Sequence, residues 1–275
     1  MAARPAILVF IALAAAALPA PAAELRRLPD GETVSVGGLA AYLVDPTARY
    51  DHGVLGDAIE AGGFAVERDG RRLTYRLPED AVFEDRRVRL GDLDGDGTPE
   101  AIVVKSYLQR GAAIAVYALR AESIEPLAES PAIGARHRWL NPVGVADFAG
   151  TGETTVAAVL TPHLAGSLRL YRLAAGRLVE VARLDGFTNH IIGTRNLDLA
   201  RLDDVDGDGV PDIVLPSLDR GALAAVSFRG GKAVQIRRVA VTGRIVTLDS
   251  VKAGVATVTL DSGAPATIDL NAGRR

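Results

Sequence analysis

Asp92-Leu93-Asp94-Gly95-Asp96-Gly97-Thr98-Pro99-Glu100-Ala101-Ile102-Val103-Val104 is nearly copied by Asp204-Val205-Asp206-Gly207-Asp208-Gly209-Val210-Pro211-Asp212-Ile213-Val214-Leu215. Each stretch sets three carboxylates at alternate positions of a glycine-rich turn. A proline and a fourth carboxylate close the turn, and an apolar run comes immediately after. A worn version, Asp147-Phe148-Ala149-Gly150-Thr151-Gly152-Glu153-Thr154-Thr155-Val156, stands midway, so the first aspartate recurs about every 55 residues. Repetition at this period, with several strands per unit, predicts a propeller or an array of sheets.

The residues after each turn repeat as well. Ile102 to Val104, Tyr107 to Gly111 and Ala112 to Leu119 match Val156 to Leu160, Thr161 to Gly166 and Leu168 to Leu173. The third unit gives Ile213 to Leu215, Ser217 to Gly221 and Ala222 to Phe228. Each reads as strand, turn, strand. Weaker echoes extend the array. His52 to Asp57 parallels Val88 to Asp92 and precedes a hairpin from Gly63 to Leu77, and Ile245 to Asp249 opens a last meander. Taking Asp57, Asp92, Asp147, Asp204 and Asp249 as anchors, the expected fold is an all-β propeller of about five blades over residues 23–275. Leu55 to Ala61 allows one or two helical turns at most.

Composition excludes several classes. The 275 residues are 48% hydrophobic but contain only six Phe, six Tyr and one Trp, so the apolar mass is largely small aliphatic, as thin packed sheets require. There is no cysteine, which excludes a disulfide framework and a lipid-anchored cysteine. A net charge of −3 offers no attraction to a phosphate backbone, and nucleic acid is not an expected partner. Arg4 precedes an apolar run from Ala6 to Leu18, with Ala20-Pro21-Ala22 shortly beyond it. This is a signal-peptide pattern, assigned to residues 1–22, and the run is shorter than the roughly 18 to 20 residues needed to span a bilayer. The expectation is a protein exported to the periplasm or beyond, with no membrane span after removal of the signal.

The acidic turns are suited to a hard cation. Their side-chain oxygens converge at alternate positions, while the glycines supply the positive φ that carries the chain round an ion. They differ from an EF-hand, whose twelfth position holds a bidentate glutamate; Val103 and Leu215 stand there. Four carboxylates crowded into so few residues repel one another when no cation is bound. The turns resemble those of the FG-GAP, or VCBS, repeat family, the calcium-loop repeats of integrin α-subunit propellers and of many exported bacterial proteins. The resemblance implies two structural Ca²⁺ sites. One is Asp92, Asp94, Asp96, Glu100 and the Thr98 carbonyl; the other is Asp204, Asp206, Asp208, Asp212 and the Val210 carbonyl. In the middle unit Ala149, Thr151 and Thr155 replace carboxylates, so no metal is expected there.

In the resembling propellers all calcium loops lie on one face, and the turns before and after each pair of inner strands lie on the other. Those opposite positions here hold Tyr50, His52, Glu84, Asp85, Arg86, His137, Arg138, Trp139, Asn141, His163, Asn189, His190, Arg195, Asp219 and Arg220. All four histidines and the only tryptophan fall in this set. A rim of Arg, His, Asn and Trp suits an anionic or sugar-like ligand. The alternative is that these are turn and inter-blade polar groups, with Glu84 or Asp85 pairing Arg138. The histidines stand at unmatched offsets from their anchors, which argues against a symmetric four-histidine cage. No nucleophile, zinc-protease or phosphate-loop motif occurs. The favoured function is a binding or scaffold module for a protein partner or for a small anionic or carbohydrate ligand. The alternative is a hydrolase or lyase acting at the channel mouth.

Overall fold

A computed structural model describes residues 25–272; the segment assigned to a signal peptide lies outside them. Among the described residues the regular structure is β-strand, apart from one 3-10 turn at Arg229–Gly231. No helix among the described residues is long and apolar enough to cross a membrane.

The chain winds into five antiparallel meanders. The first is β1 (Val34–Val36), β2 (Leu39–Thr47), β3 (Glu60–Arg68) and β4 (Arg71–Arg76). After β5 (Ala81–Phe83) comes the second, β6 (Arg89–Gly91), β7 (Glu100–Tyr107), β8 (Gly111–Leu119) and β9 (Ile124–Glu129). Because β5 pairs with both β3 and β7, these two meanders merge into one nine-stranded sheet. The third comprises β10 (Leu140–Ala146), β11 (Thr155–Leu160), β12 (Ser167–Ala174) and β13 (Arg177–Asp185). The fourth comprises β14 (Arg201–Asp203), β15 (Asp212–Pro216), β16 (Ala222–Ser227) and β17 (Val234–Ala240). The last has three strands, β18 (Ile245–Lys252), β19 (Val255–Leu260) and β20 (Pro265–Asp269).

Alternation along the middle strands explains how the meanders stack. In β7, Ala101 and Val103 pack with Leu43, Phe64 and Val66 of the first meander, while Ile102 and Val104 pack with Val156 and Ala158 of the third. In β11, Ala157 and Val159 face Ile213 and Leu215 of the fourth. In β15, Val214 faces Ile245, Leu248 and Val258 of the fifth. A strand buried on both faces has no polar side, which is why these segments appear as uninterrupted Ala/Val/Ile/Leu runs. Four apolar clusters thus join five meanders in series. Among the described residues no such cluster joins the fifth to the first, whose outer face carries a small cluster of Tyr42, Val44 and Ala65.

Two glycines allow the connections to cross the hairpin turns. A Cβ on Gly111 (φ 73°) would sit 2.3 Å from the Ala135 carbonyl oxygen, and one on Gly166 (φ 61°) would sit 2.0 Å from that of Phe187. The Gly166 carbonyl in turn accepts the N–H groups of Gly186 and Phe187, at 2.9 Å each. The segment leading to the next meander is therefore pinned across the preceding turn, at the end of the sheets opposite the acidic loops.

Two anchors are corrected. Residues 52–57 form no strand and lie in the connection between β2 and β3; the inner position of the first meander belongs to β1, which turns at Gly37-Gly38. Asp249 lies within β18, and that meander turns at Ala253-Gly254. No helical turn forms between Leu55 and Ala61; the next hairpin is β3–β4, turning at Asp69-Gly70.

Candidate functional site

The acidic loops span β6–β7 and β14–β15 and share one hydrogen-bond scheme. The Asp92 carboxylate accepts the N–H groups of Gly95 (2.8 Å) and Gly97 (3.0 Å), as Asp204 accepts those of Gly207 (2.8 Å) and Gly209 (3.0 Å). Glu100 accepts Leu93 N–H at 2.8 Å, and Asp212 accepts Val205 N–H at 3.0 Å. Oxygens of Asp92, Asp94 and Asp96, and those of Asp204, Asp206 and Asp212, each gather within 4.8 Å. Asp212 is fully buried and its Oδ1 has no hydrogen-bond partner. Burial and the Asp206 charge push its carboxyl up to about 6, and burial likewise raises Glu100. A buried carboxylate oxygen without a proton donor, in a ring of oxygens, fits a hard cation. Asp208 turns partly aside, since Arg229 pairs with its carboxylate and donates to its carbonyl, both at 2.8 Å.

The loop between β10 and β11 separates the two tasks of this motif. Asp147 still accepts Thr151 N–H (3.0 Å) and Gly152 N–H (2.6 Å), although Ala149, Thr151 and Thr155 stand where the other loops have carboxylates. The first aspartate therefore closes the turn by itself. In the intact loops the other carboxylates add matching backbone bonds, Asp94 and Asp206 accepting the N–H two residues on at 3.1 and 3.2 Å, and Asp96 and Asp208 doing the same at 2.7 and 2.8 Å.

At the other end, the connections bring all four histidines and Trp139 together. His52 Nδ1 meets Glu84 Oε1 at 2.6 Å, and the Ser106 hydroxyl donates to the other oxygen of Glu84. Trp139 Nε1 donates to the Glu84 carbonyl at 3.0 Å. The Trp139 ring lies parallel to that of His163 (6.2 Å between centroids) and edge-on to that of His190 (4.8 Å). His190 Nε2 donates to the Thr194 carbonyl at 2.8 Å, which leaves Nδ1 of the neutral ring to accept from His163 Nε2 at 3.0 Å. Burial lowers both of these histidines to about 4. His137 stacks on His52 at 5.1 Å and pairs with Asp51 at 2.9 Å. Hydrogen bonds from His137 and Arg136 hold Asp51 down at about 2. Tyr50, fully buried between His52 and His137, accepts His137 N–H at 3.1 Å and is pushed up to about 12 by burial and by Glu84.

Other sequence-derived candidates are used structurally. Asp85 pairs with Arg89 at 2.7 Å and also accepts Val104 N–H. Neither it nor Glu84 pairs with Arg138, which instead donates to the His137 carbonyl. Asn141 and Asn189 donate to each other's backbone carbonyls at 3.2 and 2.9 Å. Arg86 donates to the Asp30 and Arg195 carbonyls, and Arg195 bridges Asp30 (2.6 Å) and Asp57. Asp219 accepts from Ser217 and Gly221 within its own turn, and Arg220 donates to the Ile245 carbonyl. These last two do not join the histidine cluster.

Glu60, Ser106 and the Arg87–Asp198 pair were not among the residues expected from the sequence. Glu60 is buried at the start of β3, and Oε1 has no hydrogen-bond partner. Burial and the charges of Glu84, Asp57, Asp85 and Asp30 push it far above the usual carboxylate range. A lone carboxylate in the run Ile59-Glu60-Ala61-Gly62-Gly63-Phe64 was the available signal. Arg87, before β6, pairs with Asp198, before β14, so inner strands of the second and fourth meanders approach each other. No protein-family model and no curated protein matches the chain.

Proposed function

We propose that the protein is an exported, calcium-stabilised β-propeller of five blades that serves as a binding module through the face opposite its acidic loops. The observation that carries this is the convergence of four histidines and the single tryptophan at that end, although they come from connections far apart in the chain. The ring closure is supported by the serial stacking of the meanders and by links that bend the row round, Arg87 to Asp198 and Gly193 N–H to the Val54 carbonyl at 2.9 Å. Calcium is supported by the converged carboxylates and the unpartnered Asp212 oxygen.

Binding is favoured over hydrolysis or elimination. Catalysis needs groups poised towards a substrate, and here His137 is taken by Asp51, His190 by Thr194 and His163, and Arg195 by Asp30 and Asp57. Rings with fixed polar edges instead suit a ligand with hydroxyl or anionic groups, or a complementary protein loop.

The test is a thermal-shift and calorimetric series on the purified protein with Ca²⁺ and with chelator, against panels of oligosaccharides and small carboxylates. Chelator is expected to lower the melting temperature, and a bound ligand to raise it in the parent but not in His137→Ala. A melt unchanged by chelator overturns the calcium assignment. A ligand whose effect survives His137→Ala and Tyr50→Phe overturns the assignment of the face.

A further inference from the structure

We propose that His163 and His190, joined by His52, form a binding site for an imidazole-preferring divalent transition-metal ion of the Zn²⁺, Ni²⁺ or Cu²⁺ class. The inference rests on the opposite-face site described above and names an inorganic ligand for it.

The pair is built as metal-binding histidines are built. Such a ring almost always donates its second N–H to a carbonyl or carboxylate, which fixes the tautomer and aims the other nitrogen. His190 does this through Nε2, which donates to the Thr194 carbonyl at 2.8 Å, so Nδ1 carries the lone pair. His52 does it through Nδ1, which faces Glu84 at 2.6 Å, so Nε2 is the nitrogen left for a ligand. His163 Nε2 faces His190 Nδ1 at 3.0 Å with one proton between them. Moving that proton to Nδ1 of His163 turns two lone pairs towards the same point without a change of charge.

The adjustment is a swing of one ring. Two metal–nitrogen bonds of about 2.0–2.1 Å at a tetrahedral angle span about 3.3 Å, close to the present 3.0 Å separation, but the two nitrogens now face each other along the hydrogen bond, so one ring must also turn off that axis for an ion to enter. The half-buried His163 belongs to the turn between β11 and β12, whereas His190 is 1% exposed and held by Trp139 and Thr194. His163 is therefore the ring that moves. The only groups of three whose ligand atoms already gather within 4.8 Å, among the described residues, are the two aspartate sets; His52 lies near enough for its charge to act on His163, and in the proposed site it moves in when the ion binds. The two ends of the molecule then select different ions: oxygen ligands for a hard cation at one, imidazole nitrogens for a softer one at the other.

The sole tryptophan is the reporter, since Trp139 touches both rings of the pair. The untagged protein, saturated with Ca²⁺, is titrated with Cu²⁺ and Ni²⁺ while Trp139 emission is followed, and Zn²⁺ is added as competitor. The expected result is saturable quenching at one ion per chain that Zn²⁺ reverses. His163→Gln and His52→Gln each weaken it about tenfold or more, and Asp147→Ala, at the opposite end of the sheets, leaves it within about twofold. Melting curves close to that of the parent show that the variants are folded. Quenching that does not saturate, or that is the same in His163→Gln and His52→Gln as in the parent, overturns the metal site. The same samples are screened with the oligosaccharide and carboxylate panel. A response there through His137, with no metal response, overturns the metal site and leaves the binding face standing.

Discussion

The two ends of the meanders are built on different principles. Each acidic loop takes all its carboxylates from nine consecutive residues and repeats its hydrogen bonds from Asp92 to Asp204 almost distance for distance. The opposite end takes His52, Glu84, Trp139, His163 and His190 from five connections, and no two of them play the same part. A local motif can be copied, worn and discarded unit by unit, as the loop at Asp147 demonstrates. A site assembled across units survives only if every connection arrives in place. The first design is local and repeated, and the second depends on how distant connections meet.

The largest expected effect falls on the assembled end. Trp139 is 2% exposed and binds the second meander to the third through its ring and its Nε1 hydrogen bond. Trp139→Ala is expected to cost about 3–5 kcal/mol in denaturant unfolding. A cost no greater than that of a surface substitution would mean that this end is not integral to the fold.

Removing the cation comes next. If Ca²⁺ is present at about 100 times its dissociation constant, a site contributes about 2.7 kcal/mol. Asp206→Asn should lose most of that in calcium and almost nothing in chelator, as read from paired thermal melts. Equal losses under both conditions would reduce the intact loops to the status of the worn one.

The worn loop itself gives a smaller number. Asp147→Ala removes two accepted N–H bonds at an exposed turn and is expected to cost about 1 kcal/mol, the same with or without calcium. Any calcium dependence there would mean that the middle unit still binds metal.

The smallest effect concerns pH and the link between inner strands. Burial opposes ionisation of Asp198, but the Arg87 guanidinium outweighs it and holds the carboxyl below its ordinary value. The folded pKa is thus below the unfolded one, near 3.9. The stabilisation is complete above that unfolded value and is lost as pH falls through the folded one. Because both side chains are partly exposed, about 0.5 kcal/mol is expected. Asp198→Asn should flatten the acid limb of the stability curve by that amount, measured between about pH 5 and 2.5. An unchanged limb would show that this pair does not tie the second and fourth meanders.

Much of the fold was legible because its determinants are local. The period of Asp92, Asp147 and Asp204, and the apolar runs between polar turns, are enough to place β7–β8, β11–β12 and β15–β16. The misplaced anchors at Asp57 and Asp249 have one cause. The terminal meanders lack an acidic loop, so a single aspartate was made to stand for one, whereas the turns are built on Gly37-Gly38 and Ala253-Gly254. Under the alternative reading, Arg138 was to pair by charge alone with Asp85 or with Glu84. The partners of Glu84 are His52 and Ser106, because Arg138 points to a backbone carbonyl in its own turn.

By itself, then, the sequence determined the all-β character, the repeat and the acidic loops, all of which depend on residues within a few positions of one another. Which histidine meets which, that Trp139 lies against both His163 and His190, and that Glu60 Oε1 is buried without a hydrogen-bond partner were decided by the tertiary structure. Those contacts depend on where connections of unequal length cross the ends of the sheets. The physical reason is that side-chain alternation along a strand is fixed by the backbone, whereas the approach of distant turns is fixed only once the apolar faces between the meanders have stacked.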